Sequence, residues 1–326
     1  MEAEGKSGGR VALSTAWDSF LADLEARKVS ASTQSKYKLL RKRLESYTEP
    51  RKIFYAWDCT LEVLTGFRVT WKYGPRTAAK HIERLRAFFR FCAERHWTDY
   101  NPALSLKPPK LDVRPTMPLT QEEMVKLLTA CDEYKTDVRS TGKLNALRLK
   151  AIILLMRYSG MRIGDTVNLS AERVTGDKLF LYTQKTGQPV YTVLPPVVVK
   201  ILAATPRMTD RLYFWNGVGH LKTAVKNWQK KLRKVFDSAK VDQGGSQLVS
   251  HRFRDTFSVE LLLAGVPIER VSILLGHSSV RITERHYNPW VRSRQEQLEA
   301  NLRNAWDRDP LQTGTKRVQS LNSKPN

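Results

Sequence analysis

Two basic residues stand three positions apart in the segment His251-Arg-Phe-Arg254, which opens a predicted helix that runs to Ala264. Residues three apart on a helix share a face, with their Cβ atoms about 5–6 Å from each other. A histidine and an arginine placed in this way can donate several charge-assisted hydrogen bonds to one phosphate group. Such a pair is more often a solvated helix face, so its meaning depends on the rest of the chain.

Four more residues of chemical interest occur at separate places along the chain. Arg162 lies in the segment SGMRIGD, Lys185 lies in a predicted hairpin turn, His277 follows a glycine, and Tyr287 comes ten residues after His277. Each has an ordinary structural explanation: a helix-end charge, a solvated lysine, a turn histidine and a packed aromatic. Their order is more informative, because in chain order the six residues are separated by intervals of 23, 66, 3, 23 and 10.

This order, together with the segments SGMRIGD, HRFRDTF and LGHSSVRITERHY, closely resembles the tyrosine recombinase and integrase family, which includes phage integrases and the Xer and Cre recombinases. The resemblance covers residues 120–306 in detail and the preceding helical region in general plan. It implies a site-specific recombinase or integrase that cleaves and rejoins double-stranded DNA through a 3′-phosphotyrosine intermediate. It also implies that no metal, ATP or other cofactor is used.

The resemblance assigns Tyr287 as the nucleophile, with Arg162 and Arg254 as guanidinium clamps on the scissile phosphate. His251 is expected to hydrogen-bond the same phosphate or to handle the proton of the nucleophile. These roles agree with the physical chemistry, because a pentavalent transition state carries more negative charge than the diester and is stabilised by fixed cationic donors. The covalent link preserves the energy of the phosphodiester for rejoining.

By the same resemblance, Lys185 is the general acid for the leaving 5′-oxygen, carried on a mobile hairpin. His277 is expected to donate a hydrogen bond to a non-bridging oxygen, with a structural turn histidine as the alternative. Asp165, one helical turn after Arg162, takes the acidic position that supports the arginine. A helix-end or surface acid is the alternative for Asp165.

The charge balance points to a polyanionic partner. The chain of 326 residues has 55 Lys and Arg against 32 Asp and Glu, a net charge of +23. Residues 1–117 carry 22 basic and 13 acidic residues, and residues 118–326 carry 33 and 19. The excess is therefore not a basic tail on a neutral enzyme, and both parts are expected to face nucleic acid.

Other bulk features predict a soluble, cytoplasmic protein. The three cysteines are odd in number and widely spaced, which is typical of reduced thiols rather than a disulfide framework or a zinc ribbon. No secretory signal and no apolar run of about 18 residues is present in the sequence.

Hydrophobic periodicity predicts a mainly α protein with a small β-hairpin or sheet in the catalytic domain. Two domains are expected to form a C-shaped clamp: a helical core-type DNA-binding domain at 11–100 and a catalytic domain at 119–306. Five prolines between 101 and 118 indicate an extended basic linker, since proline removes backbone donors and resists helix formation. Residues 307–326 are expected to be a flexible tail.

Within the catalytic domain, the pattern predicts a long apolar helix at 147–158 and two strands at 178–183 and 189–194 that flank the Lys185 turn. A last helix is expected at 290–306. It carries an amphipathic stripe that includes Leu298, Leu302 and Trp306. In the resembling family such a helix commonly docks on a neighbouring protomer of a tetramer on DNA. Packing back on its own chain is the alternative.

Basic side chains outside the motifs are candidates for DNA contact, with a solvated face that makes only backbone contacts as the alternative reading. They are Lys80, Arg84, Arg86, Lys107, Lys110, Arg114, Lys226, Lys230 and Arg233.

Two other functions compete with recombination. A type IB topoisomerase shares the tyrosine chemistry, but the short helical first domain and the LGHSS segment favour a recombinase. A non-catalytic DNA-binding protein of the same fold is disfavoured, because Arg162, Arg254 and Tyr287 are all present.

Overall fold

The computed structural model describes residues 10–110, 117–134, 139–243 and 249–308, except for the side chains of 139–143, 292, 294 and 297. The chain divides into two compact units, Met1–Val113 and Arg114–Asn326. The described part is mainly helical, with one small antiparallel sheet in the second unit.

The described residues of the first unit form four α-helices. They are α1 Leu13–Ala26, α2 Ala31–Thr48, α3 Leu61–Val69 and α4 Pro75–Glu94. Ser30 and Thr60 cap α2 and α3 by accepting backbone N–H groups of the first turn, and Pro75 occupies the first turn of α4.

An aromatic stack forms the centre of this unit. The rings of Trp17 on α1 and Phe88 on α4 are parallel, with centroids 3.7 Å apart, and Phe20 meets Phe88 edge to face. The Trp17 and Phe88 side chains are fully buried. Burying an aromatic side chain of this size stabilises a fold by about 3 kcal/mol, so this pair is a main anchor between α1 and α4.

The segment after α4 belongs to the first unit, although its prolines predicted a linker from residue 101. Residues 102–105 form turns, and Ala103 and Leu106 are buried in the first core. Arg86 on α4 donates hydrogen bonds to the backbone carbonyls of Ala103, Leu104 and Leu106. Residues 101–106 are therefore held on the first core by these bonds.

The second unit contains the sheet and the remaining helices. They are α5 Gln121–Asp132, α6 Arg139–Ser159, α7 Ile163–Val167, β1 Val174–Thr175, β2 Lys178–Tyr182, β3 Pro189–Val193, α8 Pro196–Ala204, α9 Leu221–Ser238, α10 Ser250–Leu263, α11 Ile268–Leu274 and α12 Val280–Asp307. A capping box of Thr120 and Glu123 starts α5, as the sequence predicted.

Helix α6 is the centre of the second unit. Residues 151–156 are all buried, which is why this stretch is apolar on every side. The helix extends beyond the predicted 147–158 and begins at Arg139. Sequence periodicity did not detect its first turns, because they are polar and carry no apolar stripe.

The sheet is a three-stranded antiparallel meander in the order β1-β2-β3. Leu181 pairs with Val190, and both are buried, as is Leu179. The alternate residues Phe180 and Tyr191 point to the exposed face. This alternation packs the hairpin on the core and presents its turn, which contains Lys185, at one end.

Helix α12 corrects the predicted start at 290, because one continuous helix runs from Val280 to Asp307 and contains Tyr287. Pro289 lies inside it and is exposed. A proline inside a helix removes one backbone hydrogen bond and costs about 3 kcal/mol. Packing of Tyr287 and Trp290 against α10 and α11 offsets this cost.

The cysteines Cys59, Cys92 and Cys131 are buried and not disulfide-bonded. Burial raises the pKa of each thiol to about 12, so none is a reactive thiolate at neutral pH.

Candidate active site

Arg254 is the most buried cation of the site, with 6% of its surface exposed. Helix α10 places it one turn after His251. Its guanidinium donates to the carbonyl of Gly160 at 2.5 Å, to the carbonyl of Leu275 at 2.6 Å and to Nε2 of His277 at 2.9 Å. These bonds fix the plane of the group and use three of its five N–H donors.

Two glycine turns bring those acceptors to Arg254. Gly160 and Gly276 have φ values of +63° and +59°, in the left-handed region. A Cβ at Gly160 would approach Phe257 Cδ1 to 2.5 Å, and one at Gly276 would lie 2.8 Å from Thr183 Cγ2. The glycines of the SGMR and LGH segments are therefore required by backbone conformation and by close packing.

Arg162 stands immediately before α7, as its N-terminal cap residue. Its Nη1 atom is buried and has no hydrogen-bond partner among the described residues. Desolvation lowers the pKa of Arg162, while the charges of Asp165 and Tyr287 act in the opposite direction. A buried guanidinium nitrogen without an acceptor is costly, and an anion is one group that can complete its hydrogen bonding.

Asp165 connects Arg162 to the hairpin. It is 7% exposed and accepts the backbone N–H of Gln184, one residue before Lys185, at 2.9 Å. Desolvation raises the pKa of Asp165, opposed by the Gln184 N–H and by the charges of Arg162 and Arg254. This burial removes the surface-acid alternative.

The Lys185 turn is tied to the Gly276 turn. Thr186 donates its hydroxyl to the carbonyl of Gly276 at 2.9 Å, and Gly187 donates its N–H to the carbonyl of Thr183. Lys185 itself is exposed, and its charge acts on His251 and His277. The hairpin predicted to be mobile is thus bonded on both sides of its lysine.

His251 lies on the open side of the cluster. Desolvation, followed by the charges of Arg254, Arg162 and Lys185, lowers the pKa of His251 to about 4. The residue is exposed to solvent, so a phosphate can reach it. A bound phosphate would reverse the part of the pKa shift that the neighbouring cations cause.

His277 is held in one tautomer by two neighbours. Arginine can only donate, so the 2.9 Å contact makes Nε2 of His277 the acceptor from Arg254. Nδ1 then carries the proton and donates to Thr283 Oγ1 at 2.8 Å. Desolvation and nearby cations lower the pKa of His277 to about 3. In this arrangement His277 orients Arg254, and its expected donation to a phosphate oxygen stays a prediction.

Tyr287 is 3% exposed and packs with Phe257, Leu262 and Leu275. Its hydroxyl donates to Oδ1 of Asp255 at 2.6 Å. Desolvation and the Asp255 charge raise the pKa of Tyr287, while the charge of Arg254 lowers it.

Asp255 was missed at the sequence level. It lies 32 residues from Tyr287, and no local pattern links the two. Desolvation raises the pKa of Asp255 to about 6, against the lowering effect of its hydrogen bond from Tyr287 and of the charges of Arg254 and Arg252.

The predicted DNA-contact residues within the described ranges lie on α9, in the segment after the first core, and on α4. Lys226, Lys230 and Arg233 are exposed on α9, and Lys107 and Lys110 are exposed after the first core. Lys80 pairs with Glu83, Arg84 is half-buried on α4, and Arg86 serves the 101–106 turns. Arg114 lies outside the described residues.

Residues 118–291, more than half of the chain, match the phage integrase family. The chain belongs to this family. The match includes every residue of the cluster, from Arg162 to Tyr287.

Individual relatives agree with this membership. Tyrosine recombinase XerC of Chlamydia muridarum is 24% identical over 220 residues, which are 65% of this chain and 66% of that protein, just under two thirds of its length. A lambda integrase dimer bound to a COC′ core site superposes with a TM-score of 0.67 at 16% identity, over 86% of this chain and 78% of that one. A lambda integrase tetramer bound to a Holliday junction superposes with a TM-score of 0.62 at 17% identity, over 82% of this chain and 78% of that one. At these identities the structures support the fold.

Among the described residues, no helix combines the length and apolar character needed to cross a membrane.

Proposed function

We propose that this phage integrase family member is a site-specific DNA recombinase that cleaves and rejoins double-stranded DNA through a covalent 3′-phosphotyrosyl bond to Tyr287. The observation that carries the proposal is the buried Nη1 of Arg162, which has no hydrogen-bond partner among the described residues. The charge of Arg162 also lowers the pKa of the buried Arg254, so these two desolvated cations repel each other. An anion between them, such as a DNA phosphate, relieves that repulsion.

The two arginines supply the positive charge at the scissile phosphate. Arg254 is already fixed in plane by Gly160, Leu275 and His277, so it needs no reorganisation when the transition state forms. Arg162 completes its own hydrogen bonding only when the phosphate arrives. A bound phosphate also raises the pKa of His251, so its imidazole becomes a donor to the same group.

Lys185 is proposed as the general acid for the 5′-oxygen. Its ammonium group gives a proton to the leaving alkoxide, which would otherwise depart as a poor leaving group. Two hydrogen bonds fix the position of the turn relative to the arginines: the Gln184 backbone N–H donates to Asp165, and the Thr186 hydroxyl donates to the Gly276 carbonyl. Asp165 is thus a positioning residue for both Arg162 and Lys185.

Tyr287 attacks the phosphorus, forming the bond from its phenolic oxygen as the bond to the 5′-oxygen breaks. The resulting phosphotyrosyl ester keeps the energy of the diester, so rejoining to another 5′-hydroxyl needs no ATP, and the cations replace a metal. Attack requires the phenol to be exposed, whereas Tyr287 is buried. DNA binding therefore has to move α12 relative to α10.

Double-stranded DNA is the proposed partner. Lys226 and Lys230 on α9, with Lys107, Lys110 and Arg114 from the chain segment before α5, are proposed to contact the phosphate backbone. Such contacts position the duplex and make affinity depend on salt, but they do not select a sequence. The proposed location is the cytoplasm, where thiols stay reduced.

Assembly into a tetramer on DNA is proposed to use the C-terminal part of α12. Leu298, Leu302 and Trp306 follow one helical stripe and are 42%, 52% and 52% exposed. An apolar stripe left open on its own chain favours docking on a neighbouring protomer over packing in cis. It also favours a recombinase over a type IB topoisomerase, which acts as a monomer.

A nicked suicide substrate tests the proposal. Cleavage releases a short fragment that carries the free 5′-hydroxyl, and its loss traps the covalent intermediate because rejoining needs that hydroxyl. Wild type is expected to form a denaturation-resistant protein–DNA adduct in the presence of EDTA, and Tyr287→Phe is expected to form none. This chemistry would be excluded if Tyr287→Phe formed the adduct in equal yield. It would also be excluded if wild type formed no adduct on a substrate that it binds and recombines. A supercoil-relaxation assay beside a two-site strand-exchange assay separates the topoisomerase alternative.

A further inference from the structure

We propose that Asp255 is a catalytic residue of this site and takes the proton of Tyr287 as the tyrosine attacks the phosphate. The inference rests on the proposed function of Tyr287 as the nucleophile and assigns the destination of its proton. Before DNA binds, the carboxylate already contacts the reacting atom, since the Tyr287 hydroxyl donates to Asp255 Oδ1 at 2.6 Å.

The position of Asp255 on its helix supports this role. His251, Arg254 and Asp255 stand at i, i+3 and i+4 on α10 and therefore share one face. The phosphate ligands and the proton acceptor are carried by one rigid element and stay together when α12 moves. A tyrosine that reaches a phosphate held by Arg254 passes beside Asp255.

The balance of the step is complete. As the bond from Tyr287 Oη to phosphorus forms, the phenolic proton passes to the Asp255 carboxylate. As the bond to the 5′-oxygen breaks, the leaving oxygen takes a proton from Lys185. Rejoining runs in reverse: the protonated Asp255 returns its proton to the departing phenolate, and Lys185 receives the proton of the attacking 5′-hydroxyl.

Asp255 is also a better base than the alternative, His251. Burial raises the pKa of Asp255 to about 6, whereas desolvation and then the charges of neighbouring cations lower the pKa of His251 to about 4. A phosphate that reverses the effect of those cations makes His251 a donor and not a base. The charged groups that face Asp255 are Arg252 and Arg254 on its own helix, and Tyr287 faces it from α12. At neutral pH the carboxylate is ionised and accepts a proton more readily than an ordinary aspartate.

The first experiment compares Asp255→Asn with wild type in single-turnover adduct formation on the suicide substrate, at saturating protein. Asparagine keeps an oxygen that accepts the Tyr287 hydrogen bond but loses the base. We expect the rate to fall by about 10²–10⁴-fold. Glu260→Gln, an equivalent change at an exposed position of the same helix, serves as the control and is expected to react like wild type.

The second readout is the pH profile of the same step. The wild-type rate is expected to rise with pH through the titration of Asp255, and Asp255→Asn is expected to lose this limb. Asp255→Glu, which restores a carboxylate at a shifted distance, is expected to recover part of the rate and the pH limb. A structural role alone would move neither.

A substrate with a 5′-bridging phosphorothiolate separates the two proton transfers, since a thiolate leaves without protonation. We expect it to rescue Lys185→Ala but not Asp255→Asn. The inference is overturned if Asp255→Asn reacts as fast as wild type or faster, if the thiolate substrate rescues it, or if the pH limb persists. Absence of an adduct with wild type would instead be a failure of the proposed function.

Discussion

Two arginine-centred regions, one in each unit, use the same side chain in opposite ways. Arg86 gives its guanidinium to the carbonyls of Ala103, Leu104 and Leu106 and so closes the 101–106 turns on the first core. Arg162 in the second unit keeps a buried nitrogen without an acceptor among the described residues. A saturated arginine stabilises a fold, whereas an unsaturated one costs stability and is available for an anion.

The acidic residues of the site show the same contrast. Asp255 and Asp165 have raised pKa values because burial opposes their charge, although cations stand close by. In the first unit, Asp18 and Glu45 form partly exposed ion pairs with Arg41. The second unit therefore holds buried charges that the fold does not fully compensate, and these charges coincide with the proposed chemistry.

The largest expected difference between the regions is in catalysis. Arg162→Ala is expected to lower the rate of adduct formation by about 10²–10³-fold, about 3–4 kcal/mol of activation free energy, since it removes a transition-state donor. The free energy of unfolding, measured by urea titration, is expected to stay unchanged or to rise. A loss of stability with unchanged single-turnover rate would mean that Arg162 is structural. Arg211→Ala, at an exposed ion pair with Glu172, is the control.

The second prediction concerns stability and pH. The folded state raises the pKa of Asp255 to about 6 from an ordinary 3.8, so the folded protein binds more protons than the unfolded chain between these values. The carboxylate consequently costs stability above pH 6, and the cost disappears below about pH 4. Asp255→Asn is expected to raise the free energy of unfolding at pH 8 by up to about 3 kcal/mol.

This gain is expected to shrink as the pH falls toward 4. Urea titrations of wild type and Asp255→Asn at pH 8 and pH 4.5 measure the difference. A constant offset at both pH values, or a loss of stability at pH 8, would show that the buried charge is compensated by its neighbours.

Arg86→Ala is expected to lower the free energy of unfolding by about 1–2 kcal/mol, because it removes the guanidinium bonds to three backbone carbonyls. Among the described residues, only the carbonyl of Ala103 also accepts a backbone N–H, from Leu106. Adduct formation per folded molecule is expected to be retained. Arg90→Ala, an exposed neighbour on α4 with a 3.9 Å pair to Glu94, should change stability by less than about 0.5 kcal/mol. If Arg86→Ala leaves stability intact and weakens DNA binding, the side chain belongs with the DNA contacts.

The smallest effect is expected on α9. Lys226→Ala and Lys230→Ala are each expected to reduce the slope of log affinity against log salt by about 1, uniformly across DNA sequences. Titration of a labelled duplex at several salt concentrations measures this slope. Lys200→Ala on α8 is the comparison variant, and an equal change there would mean that overall charge rather than the α9 face is responsible.

Much of the fold and of the cluster could be predicted from the sequence, because these features depend on local patterns. The apolar stripes of α1 and α4, the capping box at Thr120 and the hairpin around Lys185 are each encoded within a few residues. The six motif residues were recognised by their order, and the structure couples all six through hydrogen bonds or electrostatic effects.

The unpredicted features depend on contacts between distant segments. The bond from Tyr287 to Asp255 spans 32 residues, and the bonds of Arg86 reach a segment that its prolines marked as a linker. The continuity of α12 through Pro289 depends on packing against α10 and α11, which outweighs the local preference of proline. The tautomer of His277 follows from the position of Arg254, which no sequence spacing specifies.

The most direct test of the central claim replaces the scissile phosphate with a neutral methylphosphonate. If Arg162, whose Nη1 has no partner among the described residues, neutralises phosphate charge, Arg162→Ala should lose at least tenfold less rate on the neutral substrate than on the phosphate. Tyr287→Phe is expected to stay inactive on both. An equal loss on the two substrates would contradict the account, because it would place the role of Arg162 elsewhere than at the charge of the phosphate.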